Sequence, residues 1–590
     1  MMKDNEMNFD KGRVFSRNNL IALAVMAAAS VLRVLLGQTA GVWFPVSQKY
    51  DDVLMVQYAD FPAYFAGNAV PQNDIMLKEL GYPAVLNAVD QTGIPYSVFL
   101  SILWIIAAVL VVWLVLKFTK NLIAVTGAFV FVLFSPVAFD YLAGTRAYRN
   151  AVLTPLYFII FLIPLILIVG LILGKKPGLI RMAIWMTVLG LVFSITYYIK
   201  EDGLWLLASL IFFDVFYLIA AVYDRIKRKI KMYHAVFLII PILIFIGCTA
   251  NYKQTNYEHF GVYETNTRTS GEVGRFVNNL YRIQSDDRTL NVWAPVDVVN
   301  KAFEASPTLK ENEALYDAII HSDWAAGDMN ATPVYGDFMT WVMKDAVYDA
   351  GISDNAAGIQ DYFRQVNAEL KEAFDQGVLK KDDRISVLAS TGGVAKDEAF
   401  YLLTRMFKVY LEHLFLNTYA PGAALQPEND PEMVAKVSGL LNEKLLYDED
   451  GLAERTAQIE GSNAVIGVLI GIYRVVNPVL FFAALAGLLI FLVRCIARRF
   501  RKIAAFEAAA GFAALSVLLI SLAYAFFIMR FSSFLLFEGM GNDVLKFYGI
   551  GMVPLLEIFM LTGSILLFRE IRDLVRNRRT KKETEEQAAA

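Results

Sequence analysis

Apolar positions along this chain fall in long blocks instead of alternating with polar ones. Ten runs, near residues 19–38, 97–117, 121–139, 151–174, 179–198, 203–222, 234–250, 464–493, 505–528 and 545–568, are each of membrane-crossing length. A hydrocarbon core of about 30 Å takes roughly 20 residues of helix. Every second polar connection is basic. Beginning with "KGRVFSRN", these read "LKFTKN", "LGKKPGLIR", "YDRIKRKIKMYH", "RCIARRFRK" and the tail "REIRDLVRNRRTKK". Basic connections stay in the cytoplasm, so the pattern predicts ten spans with both termini cytoplasmic. The first run lacks a cleavable-signal layout and reads as a retained signal anchor.

One long segment, 251–462, breaks the succession of spans. Residues 251–460 carry 34 acids against 19 bases, a net charge of −15, while the rest of the chain carries 23 against 35, a net of +12. The overall −3 thus hides an acidic outer domain and a basic cytoplasmic face. A hydrophobic fraction of 57% and a mean hydropathy of +0.46 exclude an ordinary soluble protein of this size. The outer segment holds neither Cys248 nor Cys495, so disulfides do not secure it. Its length suffices for an ordinary core. Stretches such as "AFYLLTRMFKVYLEHLF" space apolar residues three and four apart, which predicts a mainly helical domain. The expected architecture is an α-helical polytopic membrane protein. It has a cytoplasmic N-terminus (1–18), seven spans (19–250) with a long first outer loop (39–96), an acidic extracytoplasmic domain (251–462), three more spans (463–568) and a charged cytoplasmic tail (569–590).

Charged residues gather at the outer ends of the spans. Asp51 and Asp52, in "YDD", follow the first span. The loop continues into "NDIMLKELGYPAVLNAVDQTGIPY", where Met76, Leu77, Leu80, Val85 and Leu86 form the stripe of an interfacial helix. Arg146 and Arg149 stand three apart, on one helical face, in "FDYLAGTRAYRNAV". Lys200, Glu201 and Asp202 lie together in "YYIKEDGLW". Arg33 lies in the outer part of the first span, where a cation is costly unless it snorkels or faces a polar cavity.

The order "YDD", "LKELGYP", "RAYRN", "KEDGLW" resembles bacterial polytopic glycosyltransferases of the GT-C class, over roughly residues 20–225. One subgroup reads Phe-Asp-Asp, Lys-Gly-Pro-Gly-Tyr-Pro, Arg-x-Tyr-Arg-Glu and Arg-Glu-Glu-x-x-Trp at these places. This chain departs from it with Asn150 for Glu, Lys200 for Arg, Asp202 for Glu, and Glu79-Leu80 for Gly-Pro. The resemblance implies a plasma-membrane enzyme that passes a sugar from a polyprenyl phosphate to a cell-envelope glycan, lipid or protein. Its partners would be membrane lipids, that donor and that acceptor, with no nucleic acid. It makes Asp51 or Asp52 the base for the acceptor hydroxyl, or a ligand of Mg or Mn. Arg33, Arg146, Arg149 and Lys200 would contact the donor phosphate, Lys78 and Tyr82 would close the site, and Glu201 and Asp202 would support it. Both aspartates are expected to be exposed in a cavity, free of packing.

Each assignment has a plainer competitor. The aspartates suit a solvated loop, the arginines suit anchoring to lipid phosphates, and Glu201 with Asp202 suits capping of the sixth span. Asp214, Arg474 and Glu557 lie inside spans and are functional suspects. His234, His259, His321 and His413 are scattered and read as structural. Two other functions compete. A lipid or glycan transporter should show paired halves and broken helices at mid-membrane, against the seven-plus-three arrangement here. A non-catalytic envelope assembly protein would use the spans only to anchor the acidic domain.

Overall fold

The computed structural model describes residues 17–45, 51–229, 231–385, 391–421, 430–445, 453–497 and 503–589. Among these residues the chain is almost wholly helical, with isolated bridges and no strand. Ten helical segments are long and apolar enough to cross a membrane. In chain order the spans are Arg17–Ala40, Tyr96–Val115, Leu122–Phe139, Arg149–Ile172, Leu179–Tyr197, Leu204–Arg228, Tyr233–Phe260, Ala457–Ala497, Ala505–Phe537 and Met552–Arg576. They match the ten apolar runs one for one.

The fourth span is the axis of the bundle. Nearly all its residues are buried, and it packs on the second, fifth, sixth, ninth and tenth spans. Residues such as Leu153, Phe158, Phe161 and Leu165 are therefore enclosed by protein on all sides. The first, seventh and eighth spans expose most of their apolar surface, as helices facing lipid do. Because the spans alternate in direction, the described residues of connections 41–95, 140–148 and 198–203 meet at one end, together with the described residues between the seventh and eighth spans.

That last segment contributes to two cores. One is built by the helices Gly271–Leu280, Val296–Ala305, Met339–Asp349 and Ala356–Asp375 around Phe276, Trp293 and Phe363. The ninth span reaches into it with Phe534 and Leu535, and Arg530 donates to the carbonyls of Leu290 and Gly392 at 2.9 and 2.7 Å. The helices Lys396–Arg405, Phe407–Phe415 and Pro431–Leu441 instead join the core of the bundle through Leu402, Tyr410, Leu414, Val437 and Leu441. The acidic stretch 251–462 is thus partly a separate core and partly a component of the bundle.

The in-span suspects find local partners or none that is charged. Glu557 accepts a hydrogen bond from the Ser135 hydroxyl at 2.6 Å, and Arg474 donates to the carbonyl of Leu416 at 3.1 Å. The histidines engage nearby groups, with His234 beside the Tyr217 hydroxyl and His413 beside that of Tyr419. Cys248 and Cys495 are both free.

Candidate functional site

The site begins with the segment after "YDD". Asp51 and Asp52 open a short helix, Asp51–Ala59, whose far side is buried through Met55, Tyr58 and Ala59. Residues 72–80 do not form the expected interfacial stripe. The helix there starts only at Gly81, running to Thr92, and Met76 has a φ of 56°. Tyrosine hydroxyls hold this irregular loop: Leu77 N–H donates to Tyr58 Oη and Met76 N–H to Tyr64 Oη, both at 3.2 Å, while Leu80 N–H donates to Tyr252 Oη at 3.0 Å. Met76, Leu77 and Leu80 are buried in protein and face no bilayer. The turn brings Lys78 inward, where it is 3% exposed. Gly81 makes the approach feasible, since a Cβ there would lie 2.3 Å from the Tyr198 backbone. Its N–H donates to the Tyr198 carbonyl at 2.9 Å, drawing 198–202 alongside.

The third connection is secured from the other side. Trp43 and Ala147 exchange backbone hydrogen bonds with Thr145 and Trp43 respectively, at 3.1 and 2.9 Å, which sets Arg146 beside Trp43. Arg149 then begins the fourth span.

Three connections converge here on one charged network. Lys78 Nζ lies 2.7 Å from Asp51 Oδ2 and 3.5 Å from Glu201 Oε1. Arg149 bridges the same two acids, at 3.0 Å to Asp51 Oδ2 and 2.9 Å to Glu201 Oε2. Tyr148 Oη donates to Asp51 Oδ2 at 3.4 Å and also contacts Arg149. All these partners engage Oδ2, and no partner among the described residues engages Oδ1. Asp52 behaves differently, with Arg146 gripping both its oxygens at 2.7 Å. It is 1% exposed, against 23% for the Asp51 side chain. The expected free exposure of both acids is therefore corrected: Asp52 is packed in a two-pronged ion pair.

Sequence reasoning missed the contribution from the separate core. Arg268 Nη2 lies 3.6 Å from Glu201 Oε1, and Arg268 Nη1 lies 3.4 Å from Asp337 and 3.0 Å from Thr340 Oγ1. Trp341 presents its ring to both Lys78 and Arg268, at 4.6 and 5.2 Å. Nothing in "NTRTSGEVG" or "GDFMTWV" marks these residues, because only the docking of that core brings them in. Among the described residues, buried Arg149 Nε and Arg268 Nε have no hydrogen-bond partner, and Glu201 Oε1 has only the long ion-pair contacts to Lys78 and Arg268. A small cavity lined by Leu77, Arg268, Thr340, Lys344 and Gln360 adjoins the network.

The electrostatics follow from burial against charge. Burial works to raise the Glu201 carboxyl, but Lys78, Arg149 and Arg268 together hold it well below its ordinary value. Asp51 is likewise held below the usual range by Lys78 and Arg149 in spite of burial. Burial raises Asp52 although Arg146 opposes it, and lowers Lys78, with Arg268 adding repulsion. Glu79 turns away from the network, accepting from Thr265 Oγ1 at 2.9 Å and from Asn266, and burial pushes its carboxyl up to about 7.

Other expected site residues stand apart. Lys200 pairs with Asp202 at 3.2 Å and lies over the Tyr548 ring, contacting neither Asp51 nor Asp52. Tyr82 shares a hydrogen bond with the Tyr96 hydroxyl at 3.1 Å and is 1% exposed. Arg33 sits seven residues before the end of the first span, over the Phe139 ring at 4.3 Å. It is buried and forms no ion pair with the acids of the network. Glu201 and Asp202 do not cap the sixth span with their side chains, since both are engaged by cations.

The aspartates do not fit a divalent metal. Asp52 has both oxygens occupied by Arg146, two cations crowd Asp51 Oδ2, and no group of three metal-ligating side chains occurs among the described residues. No family model, curated protein or solved structure matches the chain.

Proposed function

We propose that this chain is an integral membrane glycosyltransferase of the GT-C kind, moving a sugar from a polyprenyl-phosphate donor to an extracytoplasmic cell-envelope acceptor. The observation that carries this reading is the convergence of Asp51, Lys78, Arg149 and Glu201, from three separate connections, on one end of the helical bundle. That end is opposite the basic connections, so positive-inside sorting places it outside the cytoplasm. It is also where a lipid phosphate stands, at the level of the span ends.

Asp51 is the base. Its Oδ1 takes the proton of the acceptor hydroxyl as that oxygen bonds to the anomeric carbon of the sugar. The bond from that carbon to the phosphate oxygen breaks, and polyprenyl phosphate leaves with the electron pair. Arg149 and Lys78 neutralise the leaving phosphate, and the unpartnered Nε–H groups of Arg149 and Arg268 offer two further donors. Donor binding exchanges carboxylate partners of these cations for phosphate oxygens, so the network loosens as the donor enters. No metal is used in this scheme.

The test is incubation of the purified protein with a panel of radiolabelled polyprenyl-phosphate sugars. Release or transfer of label from at least one member is expected, and its absence across the panel counts against the enzyme. A second reading, a non-catalytic envelope assembly protein, draws on one observation: Lys78, Arg146, Arg149 and Arg268 all already have carboxylate partners. Such a protein would keep its role in the cell after Asp51→Asn.

A further inference from the structure

The helices Lys396–Arg405 and Phe407–Phe415 belong by sequence to the acidic segment, yet their setting is that of the bundle. On the inner side, Tyr410 Oη lies 2.6 Å from Ser521 Oγ and its ring is 6.3 Å from that of Phe481. Phe481 in turn contacts Phe559 of the tenth span, at 5.5 Å. Ser521 is nine residues before Arg530, which marks where the ninth span enters the separate core. At 1.5 Å per residue, Tyr410 therefore sits roughly 14 Å below that level. At this level Tyr410 packs beside the eighth, ninth and tenth spans.

Among the described residues, nothing covers the opposite face. Phe400, Leu403, Phe407 and Leu411 are 71%, 47%, 55% and 48% exposed, and Tyr401 and Phe415 are exposed beside them. Soluble proteins rarely expose large contiguous apolar patches to water. The surface also runs on without a break in kind. Phe482, next to the Phe481 that Tyr410 touches, is 60% exposed on the eighth span, as are Val475 and Val479 nearby. Charge agrees. From 396 to 415 the exposed charged side chains are Lys396, Asp397, Arg405 and Lys408, a net of +2, while Glu412 is buried and accepts from Thr418. A basic patch within a segment of net −15 matches anionic lipid phosphates, which long cationic side chains reach by snorkelling.

We propose that Lys396–Phe415 is a membrane-seated hairpin whose exposed face contacts the lipid bilayer. Its inner face is wedged on the eighth, ninth and tenth spans, and Arg405 and Lys408 extend to the headgroups. The partner is the bilayer that surrounds the spans, and no second protein is required to cover the stripe.

Spin labels test this in the full-length protein. Cys248 and Cys495 are replaced by serine, and a single cysteine is introduced by Phe407→Cys or Leu411→Cys, with Val475→Cys and Asp383→Cys as lipid and water references. The protein is reconstituted in nanodiscs and collision rates are measured with oxygen, which concentrates in lipid, and with a polar nickel chelate. At 407 and 411 oxygen collisions should exceed nickel collisions several-fold, as at 475, with the order reversed at 383. Nickel-dominated collisions at 407 and 411 would put the face in water, and protection from both reagents would put it against protein. Either result overturns the proposal. Because all four positions are exposed, misfolding is not expected, and unchanged elution in size exclusion confirms each variant.

Discussion

Asp52 gives both its oxygens to Arg146 and is 1% exposed, whereas Asp51, one residue earlier, spreads a single oxygen over Lys78, Arg149 and Tyr148 and keeps 23% of its side chain open. The first arrangement is closed: each group satisfies the other, and Trp43, Tyr148 and Phe547 stack around the guanidinium. The second is shared, with cations that serve several acids and buried atoms left without partners. A closed pair resists exchange because any guest must break a two-pronged contact in a dry setting. A shared network exchanges partners at lower cost, since each cation that leaves one acid still holds another. Two neighbouring residues of one type are thereby divided between a closed pair and a shared network.

The strongest way to break this contrast is Asp52→Asn. It leaves the Arg146 charge buried without its counter-ion, a defect that costs about 3–5 kcal/mol. Chemical unfolding in detergent should show this loss, and a drop under about 1 kcal/mol would mean that Arg146 relaxes into water. Next in size is Arg149→Met, which removes the bridge between Asp51 and Glu201. Loss of a charged donor aimed at the leaving group costs about 100-fold or more in rate. Sugar transfer should fall by that order, and a variant near wild-type rate would remove Arg149 from the chemistry.

A pH measurement sharpens the comparison at a third acid. Glu79 is raised from an ordinary 4.5 to about 7, so the folded protein holds its proton where the unfolded chain has lost it. Its contribution to stability is full below about pH 4.5 and disappears as pH rises through 7, in total about 3 kcal/mol. The unfolding midpoint of the wild type should therefore decline between pH 5 and 8 more steeply than that of Glu79→Gln. Equal slopes would show that Glu79 is charged in the folded state. The smallest effect is expected for Lys200→Met. Its pair with Asp202 is partly open to solvent, the acid being 36% exposed, and pairs of this kind contribute about 0–1 kcal/mol. Transfer and stability should both stay close to wild type, and a large loss of transfer would bring Lys200 back among the phosphate ligands.

The spans were legible because apolar block length is a local property, read directly from residues such as those of 151–174. The meeting of Asp51, Lys78, Arg149 and Glu201 was legible through four short motifs in order. What escaped depends on contacts distant in sequence. The "IMLKEL" spacing suited a helix, but three tyrosine hydroxyls from elsewhere hold Met76–Leu80 in an irregular loop. Arg268, Asp337 and Trp341 carry no motif and enter only because their core docks on the network. The amphipathic pattern of 396–415 was visible, but periodicity gives two faces without saying whether water or lipid lies beyond the exposed one. Arg33 illustrates the same gap: depth in a span is readable, and direction is not.

The central claim is that Asp51 moves the proton while its cationic neighbours hold the donor, and one paired measurement on Asp51→Asn addresses it directly. Binding of a labelled polyprenyl-phosphate sugar and its transfer are followed on the same preparation, beside wild type. Binding should persist, because Lys78 and Arg149 are intact and lose a competing carboxylate. Transfer should fall by about 100-fold or more, the usual worth of a positioned base. Transfer at the wild-type rate by the Asn variant would contradict the account.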